Sequence, residues 1–335
     1  MKRIERRIER FAPGDVRSAA WESLQGRVSA ASAMEVQAAG MYCMTAWVGE
    51  EPVARLGLGA ARDLRDAPGI SGVIGYYAAT DEAAGAALLR HAACELAAEG
   101  AVRVLGPMNG SSWANYRQTL PADDRETEEP PFLSEPGSPP EDVEHFLAAG
   151  FRIRALYASS ISRGLARAHP VANRIARGLA KRGVTVRPLD TGDLEAEMRA
   201  IHSLSLRAFA HNPYFTPIEW NAFHAMYRPL LPLLDPALVR MAHDTEGRLV
   251  GFVFAFPDPL GLPERRVVLK TLATAPEARG LGLGSWLTDE VRRIAHEAGY
   301  AAVIHALMHV DNDSRRISAH TAEPFRRYAL FGWEP

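Results

Sequence analysis

The stretch Ala273-Thr274-Ala275-Pro276-Glu277-Ala278-Arg279-Gly280-Leu281-Gly282-Leu283-Gly284-Ser285-Trp286-Leu287 reads as a strand end, a glycine-rich turn and a helix start in one run. Glycines at 280, 282 and 284 leave the backbone bare, so its N–H groups can converge on phosphate oxygens without side chains in the way. The helix that follows aims the positive end of its dipole at the same point. Together these features predict a pyrophosphate pocket. Upstream, residues 266–274 are mostly apolar and β-branched, as in a strand buried on both faces. Downstream, Trp286, Leu287, Val291, Ile294 and Ala295 share one helical face, and Gly299 supplies the stop.

Spacing separates the families of nucleotide binder that own such a turn. A dinucleotide fold needs G-x-G-x-x-G and an acidic residue at the end of the next strand. Here the pattern is G-x-G-x-G, and the next strand, 301–307, ends without an acid. No Lys-Ser or Lys-Thr closes the turn as a Walker loop requires. The run instead resembles the R-x-x-G-x-G signature of the GNAT superfamily of acyl-CoA N-acyltransferases, present as Arg279, Gly282 and Gly284 after Pro276-Glu277. The competing reading is a tight strand-to-helix connection and nothing more.

The resemblance implies acetyl-CoA as the acyl donor and direct attack of an amine on the thioester in a ternary complex; no metal is expected, since no Cys or Glu completes a recognisable ligand set with His305 and His309. It implies coenzyme contacts from the main chain of Leu272, Ala273 and Thr274, which would also steady an oxyanion. The loop Arg279, Gly280, Leu281, Gly282, Leu283, Gly284 and Ser285 would hold the pyrophosphate. Asn312 stands where the family often touches coenzyme A; a plain helix cap is the equal alternative.

Composition fits such an enzyme. At 335 residues, two domains are expected. A formal net charge of -2 gives no reason to expect nucleic acid or an anionic membrane as partner. Cys43 and Cys94 are too few for a disulfide framework. Residues 1–7 lead into no apolar core of signal-peptide length, and no run reaches a membrane span, so the expected location is cytoplasmic.

The same ground plan occurs twice. Residues 238–243 and 249–256 flank a hairpin turn, as do 42–47 and 53–58. Each hairpin precedes a strand, a helix and another strand, which in the first copy are 72–78, 81–99 and 102–105. The expected fold class is α/β: two GNAT-like domains, each a mixed, mostly antiparallel twisted sheet flanked by helices. The first, 1–165, has Asp81-Glu82 where the glycine turn should be, so it is read as a degenerate copy without a coenzyme loop. Residues 166–183 are a connector whose helix has Val171, Ile175 and Leu179 on one face. Its basic face is either solvated or a docking point for RNA or the coenzyme 3′-phosphate. Residues 184–335 form the acyl-CoA-binding catalytic domain. Two loops, 106–117 and the acidic, proline-rich 123–140, are long for structureless connections.

The catalytic residues are harder to assign. Strand 266–274 has no Glu or Asp inside it, where some family members place the base. His305, His309 and Asp311 are the candidates, with His305 and His309 on one side of their strand if it continues that far. For the acid that meets the departing thiolate, a helix starting near Asn312 and ending before Pro324 puts His320 nearest the family's tyrosine position. Tyr328, on a final strand 325–331, and protonation of the thiolate by solvent are the alternatives. The acceptor, a small-molecule amine, is expected between the domains and under residues 209–228, touching Asn212, Tyr214 and Tyr227. Other readings are a non-catalytic acyl-CoA sensor, or a tandem enzyme of aminoacyl transfer or thiol biosynthesis. Nothing in the sequence speaks to oligomeric state.

Overall fold

A computed structural model of the chain describes residues 6–24, 31–64, 68–123, 129–167 and 171–335. Most of the N-terminal stretch, part of the acidic loop and Pro170 at the start of the connector lie outside the described residues.

The first half runs β1 (Arg6–Phe11), α1 (Ser18–Ser23), α2 (Ala33–Ala38), β2 (Tyr42–Val48), β3 (Glu51–Ala61), β4 (Ile70–Ala79), α3 (Glu82–Ala98), β5 (Ala101–Gly106), β6 (Gln118–Thr119), α4 (Asp142–Ala148) and β7 (Arg152–Ser162). The connector helix α5 (Ala172–Lys181) leads to β8 (Thr185–Pro188), α6 (Leu194–Phe209), α7 (Trp220–Tyr227), β9 (Arg240–His243), β10 (Leu249–Asp258) and β11 (Arg266–Thr274). The chain closes with α8 (Leu283–Glu297), β12 (Ala302–His309), α9 (Asp313–Ser318) and β13 (Glu323–Trp333). Both repeats therefore have the expected hairpin, strand, helix and strand. The mixed, mostly antiparallel sheet flanked by helices is the fold class read from the sequence. No helix among the described residues is long and apolar enough to cross a membrane.

The two plans share one sheet, in the order β1-β2-β3-β4-β5-β13-β7-β12-β11-β10-β9-β8, with β6 on β13. Each half lends its last strand to the other. Strand β13, from the end of the chain, pairs with β5 through Phe331↔Gly106 and Gly332↔Leu105. Strand β7, from the first half, pairs with β12 through Val303↔Ser162 and His305↔Ser160. The two lent strands pair antiparallel with each other. Side-chain alternation carries the exchange into the cores, since Ala329 and Phe331 point to one face of the first half and Tyr328 and Leu330 to the other. Phe331 stacks on Phe146 with ring centroids 5.2 Å apart. We keep 1–165, 166–183 and 184–335 as a proposal for how the chain is ordered. The sheet pairing qualifies it, because neither half closes its own sheet.

The helix expected to run almost to Pro324 stops at Ser318, and Pro324 lies inside β13. The Pro324 ring opposes Ser160 next to a register shift, where a strand tolerates the missing donor.

A buried ion pair between β10 and β11 ties the second half to residues 130–133 of the first. Arg266, 1% exposed, donates to Asp258 Oδ2 at 2.6 Å and to the carbonyls of Pro130 and Pro131 at 3.2 and 3.0 Å. Asp258 also accepts from the Leu133 amide at 3.1 Å. Arg266→Ala leaves the Asp258 carboxylate buried and without its cation, so a loss of about 3–5 kcal/mol is expected in denaturant unfolding. A loss under about 1 kcal/mol would mean that water or another cation replaces the pair.

Candidate active site

Strands β11 and β12 are parallel, but their pairing runs only from Arg266↔Ala302 to Leu269↔His305. Beyond that point they diverge into a wedge. Strand β11 stays paired on its β10 side up to Thr274↔Gly251, so alternate main-chain groups of 270–274 face the open side without a strand partner. The β10 register also shifts opposite Lys270, which is the extra residue of a bulge in β11.

At one end of the wedge lies the glycine loop. Gly280 and Gly282 have φ of +78° and +79°, and Gly282 is the N-cap of α8. Among the described residues no hydrogen bond uses the amides of Gly280, Leu281 or Gly282. The amides of Leu283, Gly284 and Ser285 belong to the first helical turn and precede the first helical bond, Trp286 to Gly282. Six consecutive N–H groups at the positive end of a helix fit a pyrophosphate. Gly282 is needed twice, for its positive φ and because a Cβ there would meet Ile175 of α5 at 3.1 Å. The connector helix thus rests on the loop through Ile175 and buries Leu179 in the core. Arg279 reaches away, donating to the Ala208 carbonyl at the end of α6 at 2.9 Å, so it braces the loop.

The corresponding wedge of the first half is filled. Its strands β4 and β5 also pair only at their start, from Ile70↔Ala101 to Val73↔Leu105. Beyond, the Met108 amide donates to Ile74 O at 2.7 Å, and Asn109 Oδ1 accepts from the Tyr76 amide at 2.7 Å. A Cβ on Gly75 would lie 2.3 Å from the Met108 carbonyl oxygen. In place of a glycine turn, Asp81 caps α3 by accepting from the Ala84 amide at 2.6 Å.

At the other end of the second wedge is a cavity of about 770 Å³ lined by both halves. The first half supplies residues 112–117 and the second supplies β11, β12 and residues around 209–230. A clasp joins the two walls: Trp113 Nε1 donates to Thr216 O at 2.6 Å, and the Ser112 and Thr216 hydroxyls lie 3.0 Å apart. The cavity lies between the halves, with Phe209, Asn212, Pro213, Phe215, Met226 and Tyr227 along one wall.

The candidate residues divide. Leu272, Asn212, Tyr227, His305, His309 and Asn312 line the cavity. Asn312 holds the N-cap position of α9 without a side-chain capping bond. Tyr227 is buried, its hydroxyl 3.2 Å from Thr271 Oγ1 and its pKa pushed up to about 12 by burial. Tyr214, with φ +60°, packs beside the first-half core instead of lining the cavity. Ala273, Thr274 and Ser285 lie on the wedge and loop rather than on the cavity wall.

His305 is buried with its Nδ1 2.9 Å from Ser318 Oγ, and burial, then Arg292, pushes its pKa down to about 4. His309 accepts at Nδ1 from the Asp311 amide at 3.2 Å, and burial lowers its pKa. Both histidines reach the cavity although the β12 register shifts between 305 and 308, where Leu307 takes φ +55°. Asp311 is exposed and off the cavity wall. His320 is exposed in the turn after α9 and does not line the cavity. Tyr328 is fully buried, donates to Glu135 and sits 3.2 Å from Ser159 Oγ; burial and then Glu135 raise its pKa well above a phenol's. It too is off the cavity wall.

Two cavity residues escape the sequence reading. Lys270 lies on the bulge of β11, and its burial, then Arg117, pushes its pKa down to about 8. Arg117 comes from the first half, its guanidinium 3.8 Å from the Tyr116 ring centroid and 4.3 Å from that of Tyr157. The irregular length of 106–117 is the one sequence signal that pointed there.

The GNAT family described as acetyltransferase matches residues 198–322, a span from α6 to the turn after α9 that includes the wedge and the glycine loop. Residues 198–322 match the GNAT domain. Solved structures align over nearly the whole chain. A GCN5-related glucosamine N-acetyltransferase region of a fungal multi-domain β-N-acetylglucosaminidase aligns over 99% of this chain at 13% identity and TM-score 0.58, and this chain spans 38% of that one. A GCN5-related N-acetyltransferase from Sphaerobacter thermophilus aligns over 98% of this chain and 95% of its own at 16% identity and TM-score 0.50. A tandem GNAT protein from the clavulanic acid biosynthesis pathway covers 98% of both chains at 14% identity and TM-score 0.50. At these identities the likeness is one of fold. A search of curated proteins gave no match. The GNAT fold supports a general N-acyltransferase activity.

Proposed function

We propose that the chain is an acyl-CoA-dependent N-acyltransferase with acetyl-CoA as donor and a small-molecule amine as acceptor. One observation carries this reading: a wedge with a loop of unpaired amides at one end and a cavity holding an amine side chain at the other. Acyl-CoA supplies the activated thioester. The amides of residues 280–285 would take the pyrophosphate, and the open-side main chain of Leu272–Thr274 the acyl arm. We assign the base to Lys270. An alkyl amine with a pKa of roughly 10 arrives mostly protonated, so the protein must accept a proton before the N–C bond forms and the C–S bond breaks. A base is best matched near working pH, which favours Lys270 at about 8 over His305 at about 4. A cytoplasmic location and the lack of a nucleic-acid or membrane partner belong to the same proposal.

Calorimetric titration of acetyl-CoA into the wild type and Ser285→Glu tests the coenzyme half of this reading. Ser285 is the third residue of α8, where a carboxylate favours the helix end while repelling a pyrophosphate. One site in the wild type is expected, weakened by about tenfold or more in the variant, a like-charge cost of roughly 1.4 kcal/mol or above. Absence of binding to folded wild type would sink the proposal.

A further inference from the structure

The charges around the cavity do not balance. Its lining includes two cationic side chains, Arg117 and Lys270, and one carboxylate, Glu35. Glu35 is exposed at the rim and turned to its own helix, where Oε2 accepts from the Ser32 amide at 2.8 Å in a capping box. No carboxylate among the described residues forms an ion pair with Arg117 or Lys270. A guanidinium keeps its charge in proteins. Among the described residues the buried Nε of Arg117 has no hydrogen-bond partner, and its one side-chain bond is donated to the Tyr116 hydroxyl.

Arg117 is also held in place at a cost. Its φ of +135° is a conformation a non-glycine residue seldom takes, and its amide is pinned to the Pro107 carbonyl at 3.1 Å. The Tyr116 and Tyr157 rings fix the guanidinium plane. A half-buried, oriented guanidinium with spare donors and no anion partner among the described residues is suited to receive an external one, and its planar fork matches a carboxylate.

Resting on the acyl-transfer reading, we propose that the acceptor is an amine that also carries a carboxylate, which Arg117 receives while the amine lies toward Lys270 and the wedge. The first half, though it has no open coenzyme wedge of its own, then supplies the residue that selects the acceptor.

The test uses matched pairs: L-lysine with cadaverine, L-phenylalanine with phenethylamine, L-histidine with histamine, and O-phosphoethanolamine with ethanolamine. Coenzyme A release is followed at saturating acetyl-CoA for the wild type, Arg117→Gln and Arg117→Lys, and each compound is also titrated directly into the protein by calorimetry. The carboxylated member of at least one amino-acid pair is expected to lead by about tenfold to a hundredfold in kcat/KM, mostly through KM, the scale of a charge-assisted hydrogen bond. That lead should vanish in Arg117→Gln and return in part in Arg117→Lys. A folding defect lowers both members of a pair alike, so the ratio separates recognition from stability.

Equal or faster reaction of the decarboxylated amines would overturn the proposal, as would a lead unchanged in Arg117→Gln or a preference for the phosphate-bearing amine. Failure of every pair to turn over while acetyl-CoA binds normally would overturn it too and leave coenzyme binding standing. Should acetyl-CoA fail to bind, the acyltransferase reading falls. The direct titrations then decide the carboxylate preference without turnover.

Discussion

Produced separately, residues 1–165 and 166–335 are each expected to fail to reach a cooperative fold, whereas the two pieces expressed together should give a single unfolding transition. Strand β13 brings Tyr328, Ala329, Leu330 and Phe331, each fully buried, into the first half's two cores. Burying a large apolar side chain is worth about 1.5–3 kcal/mol, so losing this group removes much of a stability that is typically only 5–15 kcal/mol. The first piece would also expose the inner edge of β5, and the second that of β12, as templates for aggregation. Thermal unfolding followed by near-ultraviolet circular dichroism reads the result. A native-like cooperative transition from either piece alone would show that the exchanged strands are dispensable.

Lys270→Met should retain the fold and lose about 10²–10⁴-fold in turnover, the range over which positioned acid–base groups act. Below about pH 8 the wild-type amine is protonated and has no lone pair for the acceptor's proton, so activity should rise as pH passes through that value. The variant should lose that limb of the profile. The stability effect has a defined sign. Because the folded-state pKa lies below the ordinary lysine value, the unfolded chain binds more protons between about pH 8 and ~10.5. Lys270 is therefore a cost to the fold below about pH 8 that disappears above pH ~10.5, and wild-type stability should climb toward that of the variant across this window. A variant with wild-type turnover and an unchanged pH profile would remove Lys270 from the mechanism.

Much of this architecture is legible in local pattern. The run of strand, glycine turn and helix over 266–297 could be read because positive φ and helix periodicity leave direct marks on residue choice. The first half's missing coenzyme loop shows as Asp81 where glycine should stand, but what fills its wedge does not, since Met108 and Asn109 approach Gly75 from over thirty residues away. The strand exchange is equally silent. The alternation through Phe325–Phe331 calls for a strand with two buried faces and leaves open which sheet receives it. The site follows the same division. A search for an acid within 266–274 passes over Lys270, because an amine becomes a base near neutral pH only through burial and a neighbouring cation, both products of the fold. His305 and Tyr328 have suitable chemistry in sequence, but burial holds one neutral and Glu135 engages the other.

The unbroken sheet also limits how a guest can enter. Many enzymes with a site between two lobes open like a clamshell about a few hinge residues. Here the lobes are joined by consecutive ladders from β5 through β13 and β7 to β12, and rotating one lobe away would tear hydrogen bonds along the whole seam. The contact across the cavity that does not belong to this seam is the Trp113 and Thr216 clasp between two loops. On the proposed acyl-transfer reading, admission of an acceptor falls to these two loops and not to the closing of a lobe.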